Sequence, residues 1–460
     1  MKTTMSNVLF SEFDSVSAKQ WKQKIQADLK GSDYNETLVW QSLEGINVRP
    51  FYHQDDFKNG VTIIPGHPPH WAIAQHVFID DETISNTLIL DAINRGAEAV
   101  YLTAEKSFSL EKVFSKFSFE KTAIYFHFKF LDANFLKTII PWLQSKKATV
   151  FYNLDLIGHL CREGNWFHSL EKDHQILEEI ISKNPSENIL SVDTSLYQNA
   201  GANIAQQLAY AVAHANEYLN HFQHHKTLKI TFKISVGSNY FFEIAKLRAL
   251  RLLYATLASE YGFSETCHII AIPSKRNKTL YDYNVNMLRT TTECMSAVLG
   301  GANTVCNIPY DVLYHKSNEF GERISRNQLL VLKAESYFDT VSNPADGSYY
   351  IEKLTEEIAE KALDIFKDIE KGGGFLKQLK EGTIQKKIKE SAQKEQEWFD
   401  TGKLILIGTN KYQNQEDTMS HNLELYPFVK TKPRKTIIEP IIEKRISENI
   451  EKNRLAHESI

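Results

Sequence analysis

From about residue 85 onward the chain repeats one unit, a short β-branched or aromatic run followed by an amphipathic helical stretch. AEAVYL (97–102) precedes a helix around 110–117, and AIYFHFKF (123–130) precedes one around 133–147. ATVFYNLD (148–155) leads to a helix near 174–183, and ILSVDTS (189–195) to a long one over about 204–222. LKITFKIS (228–235), CHIIAI (267–272) and ANTVCNI (302–308) lead to helices near 240–261, 285–299 and 323–335. An eighth strand is expected from VTIIP (61–65) or from a later segment. Parallel strands joined by helices are buried on both faces, which accounts for the near-continuous apolar runs. Seven or eight such units in about 280 residues predict a (β/α)8 TIM barrel. A doubly wound sheet is the competing architecture, but no G-x-G-x-x-G turn follows any strand.

The flanks read differently. Residues 1–60 carry one helix, about 17–29, ended by Lys30-Gly31, then an irregular run through Trp40 and Pro50. Too few periodic segments occur there to close a core, so this stretch is read as an N-terminal arm. The barrel is expected over 61–385, and a helix, strand and tail over 386–460. TEEIAEKALDIFKDIEK (355–371) stops at Gly372-Gly373-Gly374, a second helix is expected over 375–399, and LILIG (404–408) reads as a strand.

Composition narrows the function classes. Charged residues make up 24% and the formal net charge is -4, so no global field favours nucleic acid or an anionic membrane. No run approaches the roughly 20 apolar residues a membrane helix needs, and the N-terminus has no signal-peptide core. Cys161, Cys267, Cys294 and Cys306 show no metal-ligand spacing, which predicts a reduced, cytoplasmic or organelle-matrix protein.

Several residue groups have chemical potential and an ordinary structural reading beside it. The triple glycine lacks the Lys and Ser/Thr of a P-loop and reads as a helix C-cap. His221, His224 and His225 sit where cationic side chains favour a helix end, with no further ligand at fixed spacing. Arg248 and Arg251 either hold thioester phosphates or lay their stems beside an apolar stripe with their heads in water. HPPHW (67–71) either lines a site or forms a rigid turn, and DGSYY (346–350) is a turn followed by an aromatic pair. No Ser-His-Asp order, H-E-x-x-H or Cys-x-x-Cys motif occurs.

Long ordered segments resemble the methylmalonyl-CoA mutase family. These are the arm at 21–56, FFEIAKLRALRLL (241–253), RTTTECMSAVLGGANT (289–304), RISRNQLLVLKAES (323–336) and NPADGSYYIEKLTEEIA (343–359). The resemblance implies a barrel threaded by an acyl-CoA, whose rearrangement uses radicals from adenosylcobalamin held by a separate domain.

The chain departs from the family's catalytic pattern. Where that pattern reads Ser-Gly-Tyr-His-x-Gln-Glu-Ala-Gly-Ala, this chain has DTSLYQNAGA (193–202), with Ser195 at the tyrosine position and Leu196 at the histidine position. Leucine cannot donate a hydrogen bond to a thioester carbonyl. Where the pattern reads Arg-Pro-Trp-Thr-Ile-Arg-Gln-Tyr, PHWAIAQH (69–76) puts Ala74 in place of an arginine and His76 in place of the tyrosine. No Thr-Ile-Gln-Asn-Asp segment is found between 148 and 170. No Asp-x-His-x-x-Gly string of a cobalamin-binding domain occurs.

The resemblance and these departures together imply a small, non-catalytic subunit that binds no cofactor or metal itself. Its expected partner is a large catalytic subunit carrying adenosylcobalamin, with a homodimer possible in isolation. No catalytic residue is expected at Ser195, Leu196, His76 or Ala74. Two alternatives stand beside this one: a barrel served by a cobalamin domain on another chain, and a stand-alone acyl-CoA-binding scaffold. The arm, with Trp21, Leu29, Trp40 and Tyr52, is expected either to wrap a partner or to fold back on its own barrel.

Overall fold

A computed structural model describes residues 12–57, 60, 62–430 and 433–458. Eight parallel strands close into a barrel: β1 Ala72–Ile79, β2 Ala99–Ala104, β3 Ala123–Phe128, β4 Val150–Leu154, β5 Asn188–Asp193, β6 Ile230–Val236, β7 His268–Pro273 and β8 Thr304–Cys306. β8 pairs with both β7 and β1, which completes the ring. The seven expected strand–helix units are all present, and the competing open sheet is excluded.

The missing strand is the first one, and it does not lie at 61–65. β1 carries Gln75 and His76 in mid-strand, and these polar residues hide its apolar pattern. They are tolerated because both line a cavity inside the barrel. The expected strand at 404–408 is also absent, leaving one isolated bridge between Ile407 and Lys411. Asn410 explains this: its side chain accepts from the Leu406 N–H at 2.7 Å and donates to the Leu404 carbonyl at 2.8 Å, replacing a ladder with a local turn.

The arm helix is α1 Ala18–Asp28, and Ser17 and Gln20 form a capping box at its start. The helices outside the barrel are α2 Glu82–Asn94, α3 Ala133–Ser145, α4 Leu170–Lys183, α5 Ile204–His221, α6 Tyr240–Tyr261, α7 Val285–Leu299 and α8 Glu319–Leu330. Asp81, Asp132, Ser169 and Asn203 cap the first turns of α2 to α5 by accepting backbone N–H bonds. The helix expected over 110–117 is one turn, Leu110–Val113. Beyond it Phe114, Phe117 and Phe119 form an aromatic cluster instead.

After the barrel come α9 Tyr349–Lys371, a short helix Phe375–Lys380, α10 Thr383–Asp400 and α11 Glu448–Glu458. The single helix expected over 375–399 is broken because Gly382 takes φ 77°, a left-handed conformation that costs glycine little. The segment after residue 433 straps the barrel mouth. Its backbone donates to the carbonyls of Gly164, Cys161, Asn199 and Arg276, from Ile437, Ile441, Lys444 and Ile446 respectively.

From Trp40 to Tyr52 the arm follows one of the two expected outcomes. Ile46 and Val48 enter the main core, Trp40 meets Phe242 with ring centroids 5.6 Å apart, and Tyr52 meets Tyr350 at 5.7 Å. This stretch folds back on its own barrel. α1 has no buried residue, Leu29 is half-buried, and Trp21 is 50% exposed, touching Phe51 edge-on.

The loop after β7 is anchored by a fully buried ion pair. Lys278 Nζ lies 2.8 Å from both Glu293 carboxylate oxygens, and Asn277 donates to the same carboxylate. Burial pulls the Lys278 pKa down and pushes the Glu293 pKa up, each against the other's charge. Desolvation therefore consumes most of the attraction, and the pair fixes geometry more than it stabilises. Glu293→Leu is expected to cost about 3–5 kcal/mol, because it leaves Lys278 buried without its partner. Adding Lys278→Met should recover most of that loss in urea denaturation. A double variant no more stable than the single one contradicts this reading.

Candidate functional site

Active sites of (β/α)8 barrels lie at the C-terminal ends of the strands, and here that end opens into a cavity of about 1390 Å³. Its inner wall is polar because alternate residues of each strand point inward. β1 supplies His76, β2 Tyr101 and Thr103, β3 His127, β5 Asp193 and β6 Lys233. The short helix Leu156–Glu163 after β4 adds Arg162, the loop after β7 adds Lys275, and the strap adds Glu443.

Below the cavity the barrel is packed solid. Ala74, Ala99, Tyr101, Tyr125, Phe151, Ile270 and Cys306 form an apolar cluster of their own, separate from the core outside the strands. Tyr125 and Phe151 stack with centroids 4.5 Å apart at an interplanar angle of 3°, and His268 lies 4.2 Å from Phe151. The Tyr125 hydroxyl is satisfied by His268 Nε2 at 2.8 Å and Thr304 Oγ1 at 2.7 Å. Three rings therefore close the barrel floor, and a buried, hydrogen-bonded tyrosine does not readily move aside.

Charge at the mouth centres on Asp193. Lys233 Nζ donates to its Oδ2 at 2.9 Å, Arg162 Nη2 approaches the same oxygen at 3.3 Å, and Ser195 donates to Oδ1 through both its N–H and its hydroxyl. Burial raises this carboxyl's pKa, but Lys233 and Arg162 outweigh it and hold the group well below the ordinary carboxylate range. Arg162 Nη1 also donates to Glu443 at 2.7 Å, which brings the strap into the network. Asp155 supports it from behind, accepting from the Asp193 N–H at 2.8 Å and the Tyr218 hydroxyl at 2.9 Å.

Both mouth histidines are neutral at pH 7. Burial, with added repulsion from Lys275 and Lys233, lowers His76 to about 4, and burial followed by Lys233 lowers His127 well below its ordinary value. The His76 ring is held by Thr103 Oγ1 at 2.9 Å, and His127 stacks on Tyr101. Burial pushes the Cys306 thiol up to about 12, so it carries no thiolate.

The positions singled out in the sequence separate here. Ser195 and His76 line the cavity, Leu196 is buried in the main core, and Ala74 lies in the closed floor. Arg248 and Arg251 neither reach water nor enter the cavity. Arg248 is fully buried against Glu352 at 2.7 Å and against Asp346 of the DGSYY turn; Arg251 donates to the carbonyls of Cys267 and Gly301 and to Asn303. Both guanidiniums tie α6 to neighbouring segments at its flank and at the barrel's lower end. His67 packs against Gly301, beside the lower end of β8. Among the described residues no cluster of metal-ligating side chains occurs; His221 meets the His174 ring and His225 pairs with Glu178. Gly372 to Gly374 close α9.

Sequence reasoning missed Lys233, Asp193, Arg162, Lys275 and Glu443. Two of them carried a signal, being charged side chains on barrel strands at or near the C-terminal end. The others come from segments between strands and from a strap far along the chain, where no periodicity marks them.

One rim group titrates near neutrality. Burial raises Glu322 to about 7, against a hydrogen bond from Ser317, while Gln75 also donates to it. Below its ordinary value of 4.5 the folded and unfolded states both hold the proton. Between about pH 4.5 and 7 folding increasingly opposes ionisation, so this group destabilises the fold as pH rises. Glu322→Gln should stabilise the protein by about 1–2 kcal/mol at pH 8 and by almost nothing at pH 4.5. Urea denaturation at the two pH values checks this, and a pH-independent difference contradicts it.

The family model described as methylmalonyl-CoA mutase matches residues 143–455. The chain is similar to the methylmalonyl-CoA mutase small subunit of Porphyromonas gingivalis, at 32% identity over 91% of this chain and 73% of that protein. It is also similar to the methylmalonyl-CoA mutase of Cereibacter sphaeroides, at 27% identity over 85% of this chain and 64% of that protein. With the methylmalonyl-CoA mutase small subunit of Streptomyces virginiae it shares 27% identity over 83% of this chain and 68% of that protein. The chain thus spans 64% to 73% of the length of these relatives. By the family match and the similarity to the Porphyromonas gingivalis subunit, the chain belongs to the methylmalonyl-CoA mutase family.

Proposed function

We propose that this chain is the small, non-catalytic subunit of a heterodimeric, adenosylcobalamin-dependent methylmalonyl-CoA mutase, supporting a large subunit that interconverts methylmalonyl-CoA and succinyl-CoA. The observation that carries the reading is the closed floor. A thioester threaded along the barrel axis would have to displace the Tyr125, Phe151 and His268 stack. The mouth points the same way: Leu196 brings no hydrogen-bond donor, and Ser195 spends its hydroxyl on Asp193. Three relatives named as small subunits add support.

Adenosylcobalamin supplies radical chemistry when bound, but the mouth of this barrel does not fit a role in holding it. His76 is engaged by Thr103, His127 is stacked on Tyr101, and burial, aided by Lys275 and Lys233, keeps the His76 ring neutral. We assign the cofactor to the large subunit, and no catalytic step to this chain. Its contribution is association, which stabilises the folded partner through linkage. α1 suits that role, because Trp21 is half-exposed on an arm helix with no buried residue.

Turnover of methylmalonyl-CoA with adenosylcobalamin, by this chain alone and mixed with its organism's large subunit, tests the reading. The chain alone should be silent and the co-eluting pair active; turnover by the chain alone overturns the assignment. Trp21→Ala should weaken assembly by about 10-fold or more, as expected of an interface tryptophan. The variant's own melting temperature should stay unchanged. Undiminished assembly would remove α1 from the interface.

A further inference from the structure

On the inner wall of the mouth, most cations are paired directly with carboxylates. Lys129 is matched by Glu105 at 2.8 Å, Lys233 by Asp193, and Arg162 by Asp193 and Glu443. Lys275 has no such direct partner; Glu443 attracts it from a distance but is bonded to Arg162. Its backbone N–H donates to Asn199 Oδ1, which fixes the loop, but among the described residues its ammonium makes no hydrogen bond or ion pair. That side chain is exposed, yet the surface it is exposed to is the cavity wall. A charge without a contact partner in a low-dielectric cleft attracts a counter-ion more strongly than it would in open solvent. His76 senses the same ammonium groups: after burial, the charges that push its proton off are Lys275, Lys233 and Lys129.

We propose that the barrel mouth is a binding site for a small carboxylate anion, its carboxylate seated against the Lys275 ammonium. A single ammonium without a contact partner suits a singly charged carboxylate better than a phosphate dianion, which the neighbouring Glu443 and Asp193 would repel more strongly. Thr103 and Ser235 face the same space as donors, and Ile272, Phe128 and Ile308 give the cavity apolar wall for a short aliphatic chain. The closed floor sets the size limit, since nothing longer than the cavity can continue down the axis. A volume of this order accommodates small ligands with water to spare. The site needs no catalysis by this chain and stands whether or not the proposed partner assembles; ligand held there would stabilise the barrel by mass action.

Titration of the purified full chain with sodium acetate, propionate and butyrate tests this at constant ionic strength, beside sodium chloride and inorganic phosphate. Calorimetry and thermal shift give the readouts. Saturable binding of a carboxylate, with a rise in melting temperature, is expected. Lys275→Met should weaken it at least 10-fold, and Lys275→Arg, which keeps the charge, should retain it. Absence of saturable binding, phosphate binding tighter than any carboxylate, or affinity untouched in Lys275→Met overturns the proposal. Should Lys275→Met fail to fold, Ile272→Trp, which fills the cavity without touching the charge, must abolish binding instead; retained affinity there overturns the proposal equally.

Discussion

An ionised carboxylate buried at the end of a barrel strand must be met by cations, and Asp193 is met by two. Lys233 comes from the neighbouring strand and Arg162 from the short helix after β4. Arg162 in turn draws Glu443 of the C-terminal strap to the mouth. One desolvated charge therefore organises segments more than 200 residues apart. Removing either cation would leave a buried charge unpaired, so the network behaves as a unit. The strap follows from it: with Glu443 fixed, backbone bonds from Ile441, Lys444 and Ile446 reach the segments that follow β4, β5 and β7.

The same network divides the barrel into two regimes. Above it the interior is polar and open. Below it the interior is aromatic and filled, as (β/α)8 barrels commonly are when they carry nothing through their axis. A chain that retains a cavity yet closes the path beneath it can receive something at the mouth and pass nothing down the barrel. That combination suits a subunit kept for assembly, and it leaves the mouth free for a ligand smaller than a thioester.

Much of this was readable from residue order, and the failures have physical causes. The seven units came from apolar runs that β-sheet burial requires, and the (β/α)8 class followed. β1 was missed because Gln75 and His76 serve the cavity at the expense of the hydrophobic pattern. The strand at 404–408 was over-read because apolar residues also anchor a turn, here with Leu406 packed beside Phe399. Arg248 and Arg251 looked like surface arginines on an apolar helix, since their buried partners lie in other segments. The mouth was the least legible part. Asp193 and Lys233 sit in plain strand positions, but nothing local tells that Arg162, Lys275 and Glu443 converge on them. Ser195, at the tyrosine position of the motif, lines the cavity, whereas Leu196, its neighbour, turns into the core.

Equilibrium binding of methylmalonyl-CoA to the isolated chain tests the closed floor most directly. The account predicts no saturable binding below about 1 mM and no protection of the barrel interior from hydrogen exchange. Micromolar binding with protection of β3 and β4 would show that the Tyr125, Phe151 and His268 stack opens, and would contradict the account.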